Sequence, residues 1–170
     1  IKANKGASIS SLVTGIDTEE NRLISGNVLT GTQVEPNGHI GSFQNQLCAI
    51  KEGKEAEMFG WIAPQYLRPT ISPSFPWAGN EKLAFEANTN THGEGRAFVV
   101  TGQYEQVLPM DIYPVHLLKA IKANDFEQIE GLGIYELIEE DLALCEFVCT
   151  SKQNVQAQLR EGLDYIYSQS

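Results

Sequence analysis

Cys145 and Cys149 stand four residues apart in the run Glu139-Glu-Asp-Leu-Ala-Leu-Cys-Glu-Phe-Val-Cys149. Thiols so closely spaced are the raw material of zinc sites, iron-sulfur clusters and thiol redox chemistry. A four-thiolate site needs four ligands, and the chain has three cysteines. The third, Cys48, lies in the strand-like Gln46-Leu-Cys-Ala-Ile50, remote in sequence. With residues 139–148 helical, thiols at i and i+4 share one face, and Leu142, Leu144 and Val148 make their neighbourhood apolar. Buried free cysteine acts as a small hydrophobe, so the pattern favours core packing over metal binding or redox work. A zinc site from Cys145, Cys149 and His116 would lack its fourth ligand.

Other chemistry is sparse. His39, His92 and His116 stand alone, with neither G-x-S-x-G nor H-E-x-x-H beside them. The glycine-punctuated Arg22-Leu-Ile-Ser-Gly-Asn-Val-Leu-Thr-Gly31 reads as a strand and a loop able to approach a phosphate, yet it lacks the Lys-Ser/Thr end of a P-loop and the G-x-G-x-x-G pattern. The residues alone therefore indicate no catalytic, cofactor or metal site.

The elements that would position these residues fall into two halves. The first 110 residues carry a net charge of −3 and the last 60 a net −7, within a total of −10 over 170 residues. That charge disfavours nucleic acid and an anionic lipid surface. No run of 18 apolar residues exists to span a bilayer, and the start lacks the apolar segment of a signal peptide. It also lacks Met, which is expected of a processed protein or, in the reading favoured here, of a piece of a longer polypeptide. An odd cysteine count without a short repeating spacing suits a reducing compartment.

The first half reads as β and turn chemistry. A short helix is expected within Ala7 to Ile16, capped by Ser8 or Ser10, with Gly15 near its end. Phe43 to Ile50 and Ala56 to Ile62 form a hairpin across Lys51-Glu-Gly-Lys-Glu55, and Phe43, Leu47, Phe59 and Trp61 give it a core face. Pro64, Pro69, Pro73 and Pro76 deny a regular element to the next stretch. Its Tyr66, Leu67, Ile71, Phe75 and Trp77 either fold over their own domain or dock a neighbouring protein of the same assembly; Tyr66, Phe75 and Trp77 are the candidate partner interface. Leu83 to Ala87 and Arg96 to Thr101 read as a further strand pair.

From Tyr104 to Met110 the period changes from strand-like to helical. Asp111 is placed to cap a helix with Pro114 in its first turn and an apolar stripe of Val115, Leu117, Leu118 and Ile121. Asp125-Phe-Glu-Gln128 has the form of a capping box for a short helix stopped by Gly131 and Gly133. The cysteine helix follows, with Glu139, Glu140 and Asp141 at its positive end. A last helix runs from an Asn154 cap through Val155, Leu159, Leu163 and Ile166. The expected organisation is α+β: residues 1–105 a β domain with a proline- and aromatic-rich excursion at about 63–95, and residues 106–170 a small helical bundle.

Four ordered strings carry a family resemblance: Glu20-Asn-Arg-Leu-Ile-Ser-Gly-Asn-Val-Leu-Thr-Gly31, Glu57-Met-Phe-Gly-Trp61, Gln103-Tyr-Glu-Gln-Val-Leu-Pro-Met-Asp-Ile112, and Glu139-Glu-Asp-Leu-Ala-Leu-Cys145 with Val148-Cys149. They resemble the C-terminal part of the NqrA family, the A subunits of Na+-translocating NADH:quinone reductases, across nearly all 170 residues. The resemblance implies a β-grasp, soluble-ligand-binding (SLBB) domain followed by a helical domain. That helical domain would be similar to the iron-sulfur domains of the NADH-binding subunit of complex I and of the Rnf C subunit, here short of cluster cysteines. It implies a non-catalytic fragment with no cofactor of its own. The whole complex would use NADH, flavins, an iron-sulfur centre and quinone through other subunits, pass electrons from NADH to ubiquinone or menaquinone, and export Na+. The implied setting is peripheral, on the cytoplasmic face of the bacterial inner membrane, assembled on the membrane-embedded B subunit of the complex and supporting quinone access. The alternative is a β-grasp module that itself binds a quinone or another small ligand.

Overall fold

The computed structural model describes residues 3–54, 87–90 and 96–169. The expected strands Ala56 to Ile62 and Leu83 to Ala87, apart from Ala87 itself, lie outside the described residues, as do His92, Trp61 and the aromatics Tyr66, Phe75 and Trp77. The architecture is α+β, in two compact units, Ile1–Gly93 and Glu94–Ser170.

The first unit holds helix α1 (Ile9–Leu12) and strands β1 (Asn21–Ser25), β2 (Thr32–Gln33) and β3 (Leu47–Lys51). The three strands form one antiparallel sheet in the order β2-β1-β3, with Leu23 opposite Ala49 and Ile24 opposite Cys48. Ile9, Val13 and Leu23 are buried together, flanked by half-buried Val34, Ile40 and Leu47. The helix is shorter than its periodicity suggests. Gly15, at φ +89°, turns the chain and leaves Ile16 40% exposed, and Ser8 occupies the N-cap position with its hydroxyl on Ser10 rather than on the helix backbone. The expected strand from Phe43 begins only at Leu47. Its first residues are drawn into a turn in which the Gln44 N–H bonds the Gly41 carbonyl and the Gly41 N–H bonds Ser25 Oγ, so Phe43 stands 98% exposed rather than in the core.

The second unit contains α2 (Tyr104–Val107), α3 (Pro114–Ala123), α4 (Phe126–Gly131), two 3-10 turns (Ile134–Glu136 and Glu139–Leu142), α5 (Ala143–Val148) and α6 (Val155–Gln169). Apolar stripes of α3 and α6 face one core, in which Leu117, Leu118, Ile129, Ile134, Leu142, Val155 and Leu159 are fully buried. Gly162 lets these helices approach, because a Cβ there would meet Ile121 Cδ1 at 2.8 Å and Ile134 Cδ1 at 3.0 Å. The Asp125 cap forms as its spacing predicts, accepting the Gln128 N–H at 3.2 Å. Asp111 does not cap α3: Tyr113 is the N-cap residue, Pro114 begins the helix, and no side chain bonds the first turn. Arg96 to Thr101 is not a strand either. This stretch lies as irregular chain on the helical unit, held by Arg96 N–H to the Ser151 carbonyl (3.1 Å) and Val99 N–H to Ser151 Oγ (3.3 Å).

Candidate functional site

The thiols occupy the centre of the helical unit. Leu142, Ala143 and Cys145 face inward along the turn and helix that carry them, and Cys149 ends α5 as its C-cap residue. Cys145 has no exposure and Cys149 2%. Beneath them lies Tyr104, also 2% exposed, delivered by α2 and stacked on Phe98 with ring centroids 6.1 Å apart.

This cluster is closed by its own hydrogen bonds. The Tyr104 hydroxyl donates to Cys149 Sγ at 2.8 Å, and the Gln153 backbone N–H donates to the same sulfur at 3.3 Å. Cys145 Sγ points to the Tyr104 carbonyl at 3.9 Å, a distant sulfur contact. Burial, joined by the charge of Glu105, pushes the Cys145 thiol up to about 11. Burial and then the bond to Cys149 push the Tyr104 hydroxyl well above its usual range. A nucleophilic or metal-binding cysteine needs the opposite, a stabilised and reachable thiolate. Both groups therefore stay protonated at neutral pH, and their chemistry is that of packing and of one buried O–H···S bond. His116 does not join them: it is exposed on α3, while the thiols are buried in the core.

The acidic run at 139–141 has structural partners. Asp141 Oδ2 accepts the Ile138 N–H at 3.0 Å, and Glu139 pairs with Arg160 of α6. Glu146 supplies a cap that the spacing did not reveal, its Oε2 accepting the Gln156 N–H at the start of α6 at 3.0 Å. The Gly26 to Gly31 loop is likewise filled from within. Asn27 Oδ1 accepts the N–H groups of Leu29 (2.7 Å) and Thr30 (2.8 Å), which a phosphate would otherwise need.

The sheet unit offers a different kind of site, an open apolar cleft of about 390 Å³ beside β3. Leu12, Ile16, Ile40 and Leu47 give it its apolar lining, and the amides of Asn4, Gln44, Asn45 and Gln46 its polar one. Its volume lies near the lower end of small-molecule sites. Next to it, a clasp joins β1 and β3 to residues 88–90. Arg22 forks onto Glu52 (Nε 3.0 Å, Nη2 2.5 Å), Thr89 Oγ1 donates to Glu52 at 2.8 Å, and the Gly53 N–H donates to Thr89 Oγ1 at 2.8 Å. The clasp holds the Glu52 carboxyl below its usual range, chiefly through the Arg22 bond and then that of Thr89. Neither feature was visible in the sequence, where Glu52 reads as one charge in a turn. No helix among the described residues is long and apolar enough to cross a membrane.

Comparison with known proteins adds relatives along the whole chain. The family model described as the NQRA C-terminal domain matches residues 1–35. The A subunit of the Na(+)-translocating NADH-quinone reductase of Serratia proteamaculans (strain 568) is 42% identical over 98% of this chain and 37% of its own length. The A subunits of the same enzyme from Klebsiella pneumoniae (strain 342) and Yersinia pestis are each 40% identical over 98% of this chain and 38% of theirs. The chain thus spans under two fifths of the length of the curated relatives it matches.

Proposed function

We propose that this chain, a member of the NqrA family of Na+-translocating NADH-quinone reductases, supports the assembly of such a complex and carries no redox step itself. The observation that carries this reading is a 42% identity running through both compact units. The buried thiols support it, since Cys145 and Cys149 lie enclosed in a core, where burial pushes the Cys145 thiol up. In this reading the sheet unit is a β-grasp domain of the soluble-ligand-binding type, completed by residues outside those described. The complex moves electrons from NADH to quinone and couples them to Na+ export; NADH, flavins and the iron-sulfur centre belong to its other subunits. The chain sits peripherally on the cytoplasmic face of the bacterial inner membrane, docked on the membrane-embedded B subunit, and supports quinone access.

The docking face proposed is Tyr66, Phe75 and Trp77, aromatic side chains in a proline-rich stretch too apolar for an idle linker. Alanine at all three positions of full-length NqrA should reduce its co-purification with the membrane subunits at least tenfold, the effect of losing more than about 1.4 kcal/mol of binding energy. Undiminished co-purification would remove these residues from the interface, and normal quinone reduction without any bound NqrA would remove the supporting role.

A further inference from the structure

Among the described residues, the charge of the sheet unit is sorted along its strands. At one end Lys51 stands opposite Asn21, Arg22 opposite Ile50, and the Glu52 N–H bonds the Glu20 carbonyl at 2.8 Å. Glu35 has left β2 toward the same end, since the Val34 N–H before it bonds the Leu23 carbonyl at 3.0 Å. At the other end, where Ser25 faces Leu47 and Thr32, two turns project from the sheet, residues 26–31 and 41–46. Neither contains a charged residue. They pack on each other because Gly26 has no Cβ: one there would meet Gln44 Oε1 at 2.7 Å. Large apolar side chains stand out from both, Val28 61% exposed, Leu29 44% and Phe43 98%. The backbone behind them is already paired. Asn27 accepts the Leu29 and Thr30 N–H groups on its side chain and that of Gly31 on its carbonyl, while Gly26 bonds the Gln46 carbonyl and Gln44 that of Gly41. The described chain leaves β3 at the charged end and is met there again, Asn88 bridging Lys51.

We propose that this uncharged tip is an interfacial anchor, with Phe43, Val28 and Leu29 entering the boundary between lipid headgroups and acyl chains. The inference rests on the peripheral placement proposed above. Three observations favour lipid over another protein surface. First, a ring that is 98% exposed stands on a projection rather than in a recess, a shape that enters a fluid phase without needing a matching pocket. Second, an apolar phase tolerates backbone only where its polar groups are satisfied internally, and the two turns meet that demand at Gly26, Leu29, Thr30, Gly31 and Gln44. Third, the chain's net charge of −10 would be repelled by lipid phosphate, yet the carboxylates of Glu20, Glu35 and Glu52 belong to the end away from the tip. Lys5 lies instead with Gln44 to Leu47 along the cleft, a cation whose long stem suits contact with a phosphate above an apolar surface.

Photo-crosslinking in the assembled complex tests this. Phe43→p-benzoylphenylalanine in full-length NqrA, reconstituted with the other subunits in phosphatidylcholine vesicles and irradiated, should give a lipid adduct detected by mass spectrometry. The same photoreactive residue placed at exposed Glu19, beside the charged end, should give roughly tenfold less, the partitioning that one buried large apolar side chain supplies. Both positions are exposed, so the fold tolerates the change. A cross-link from position 43 to another subunit or to NqrA itself would overturn the proposal, because a protein pocket would then hold the ring. Equal adduct yields at the two positions, or no adduct at either, would overturn it as well. Val28→Ser combined with Phe43→Ser should leave co-purification in detergent unchanged, since no bilayer is present; a loss there would put the tip on a subunit and sink the anchor. Failure of the test of Tyr66, Phe75 and Trp77 would remove that docking face and leave the lipid adduct standing.

Discussion

The two units bury their side chains on different scales. Among the described residues the helical unit gathers sixteen buried side chains into one core, from Tyr104 to Ile166, whereas the sheet unit gathers Ile9, Val13 and Leu23. The three strands and one short helix described in the sheet unit would be marginal by themselves. Polar chemistry follows the same division. The helical unit encloses Cys145, Cys149 and Tyr104, while among the described residues the sheet unit leaves a cleft and a nearly fully exposed Phe43 at its surface. The lesson is that cysteine chemistry drew attention to a half that encloses its thiols, while the open cleft among the described residues lies in the other.

The largest effect that could break this contrast comes from the same truncation made in each unit. Leu159→Ala should cost the helical unit about 2–5 kcal/mol, the usual range for a fully buried leucine, and leave a cooperative transition. Leu23→Ala removes one of three buried side chains of the sheet unit's cluster and should abolish its slow-exchanging amides altogether. Hydrogen exchange resolved by residue would read both. If the two units lose protection equally, their difference in self-sufficiency is not real. If the Leu23 variant regains slow exchange in full-length NqrA, the missing support comes from the rest of that polypeptide.

How much of this was legible depends on the range of the determining contacts. The Asp125 cap and the α4 boundary were readable because donor and acceptor lie three residues apart, and the burial of Cys145 followed from its apolar neighbours at helical spacing. Arg96 to Thr101 alternates like a strand but has no partner strand among the described residues. Phe98 instead lies under the Lys119 and Lys122 ammonium groups, at 5.7 and 5.9 Å from its ring centre, and against Tyr104, contacts no local pattern encodes. The Tyr104–Cys149 bond spans 45 residues and left no trace beyond a tyrosine near the change of period. Asp111 resembled a cap by type, yet Pro114 fixed the start of its helix at a position Asp111 does not reach.

Next in size is an alkaline weakening confined to the helical unit. Cys145 ionises at about 11 when folded and at about 9 in its ordinary state, so the unfolded chain releases its proton first. The stabilisation is complete below about pH 9 and is lost as pH rises toward 11, at up to about 1.4 kcal/mol per pH unit. Tyr104, shifted in the same direction, extends the loss above pH 10. Denaturant titrations of the helical transition at pH 8, 9.5 and 10.5 should show the fall, and Cys145→Ala should flatten its first part. Native thiol labelling at pH 8 should modify half-buried Cys48 well ahead of Cys145 and Cys149. Equal labelling of all three would mean the helical core opens more readily than its packing implies.

The smallest effect sharpens the contrast from the acid side. Glu52 is held below its ordinary ionisation range by Arg22 and Thr89, so the clasp stabilises the sheet unit above about pH 4.5 and weakens as pH falls below that value. The pair is partly exposed and screened by salt, so its contribution is modest and should shrink at high ionic strength. Its role is local: Glu52 ties Thr89 to β1, and Thr89 in turn closes the edge at Lys51. Glu52→Gln should therefore speed exchange at the Thr89 and Gly53 amides, remove the acid dependence of that exchange, and leave the Leu159 amide of the helical unit unchanged. The two units would then weaken at opposite ends of the pH scale, the sheet unit through an ion pair at its surface and the helical unit through neutral groups in its core. An acid response at Leu159 equal to that at Thr89 would show that the units do not respond separately.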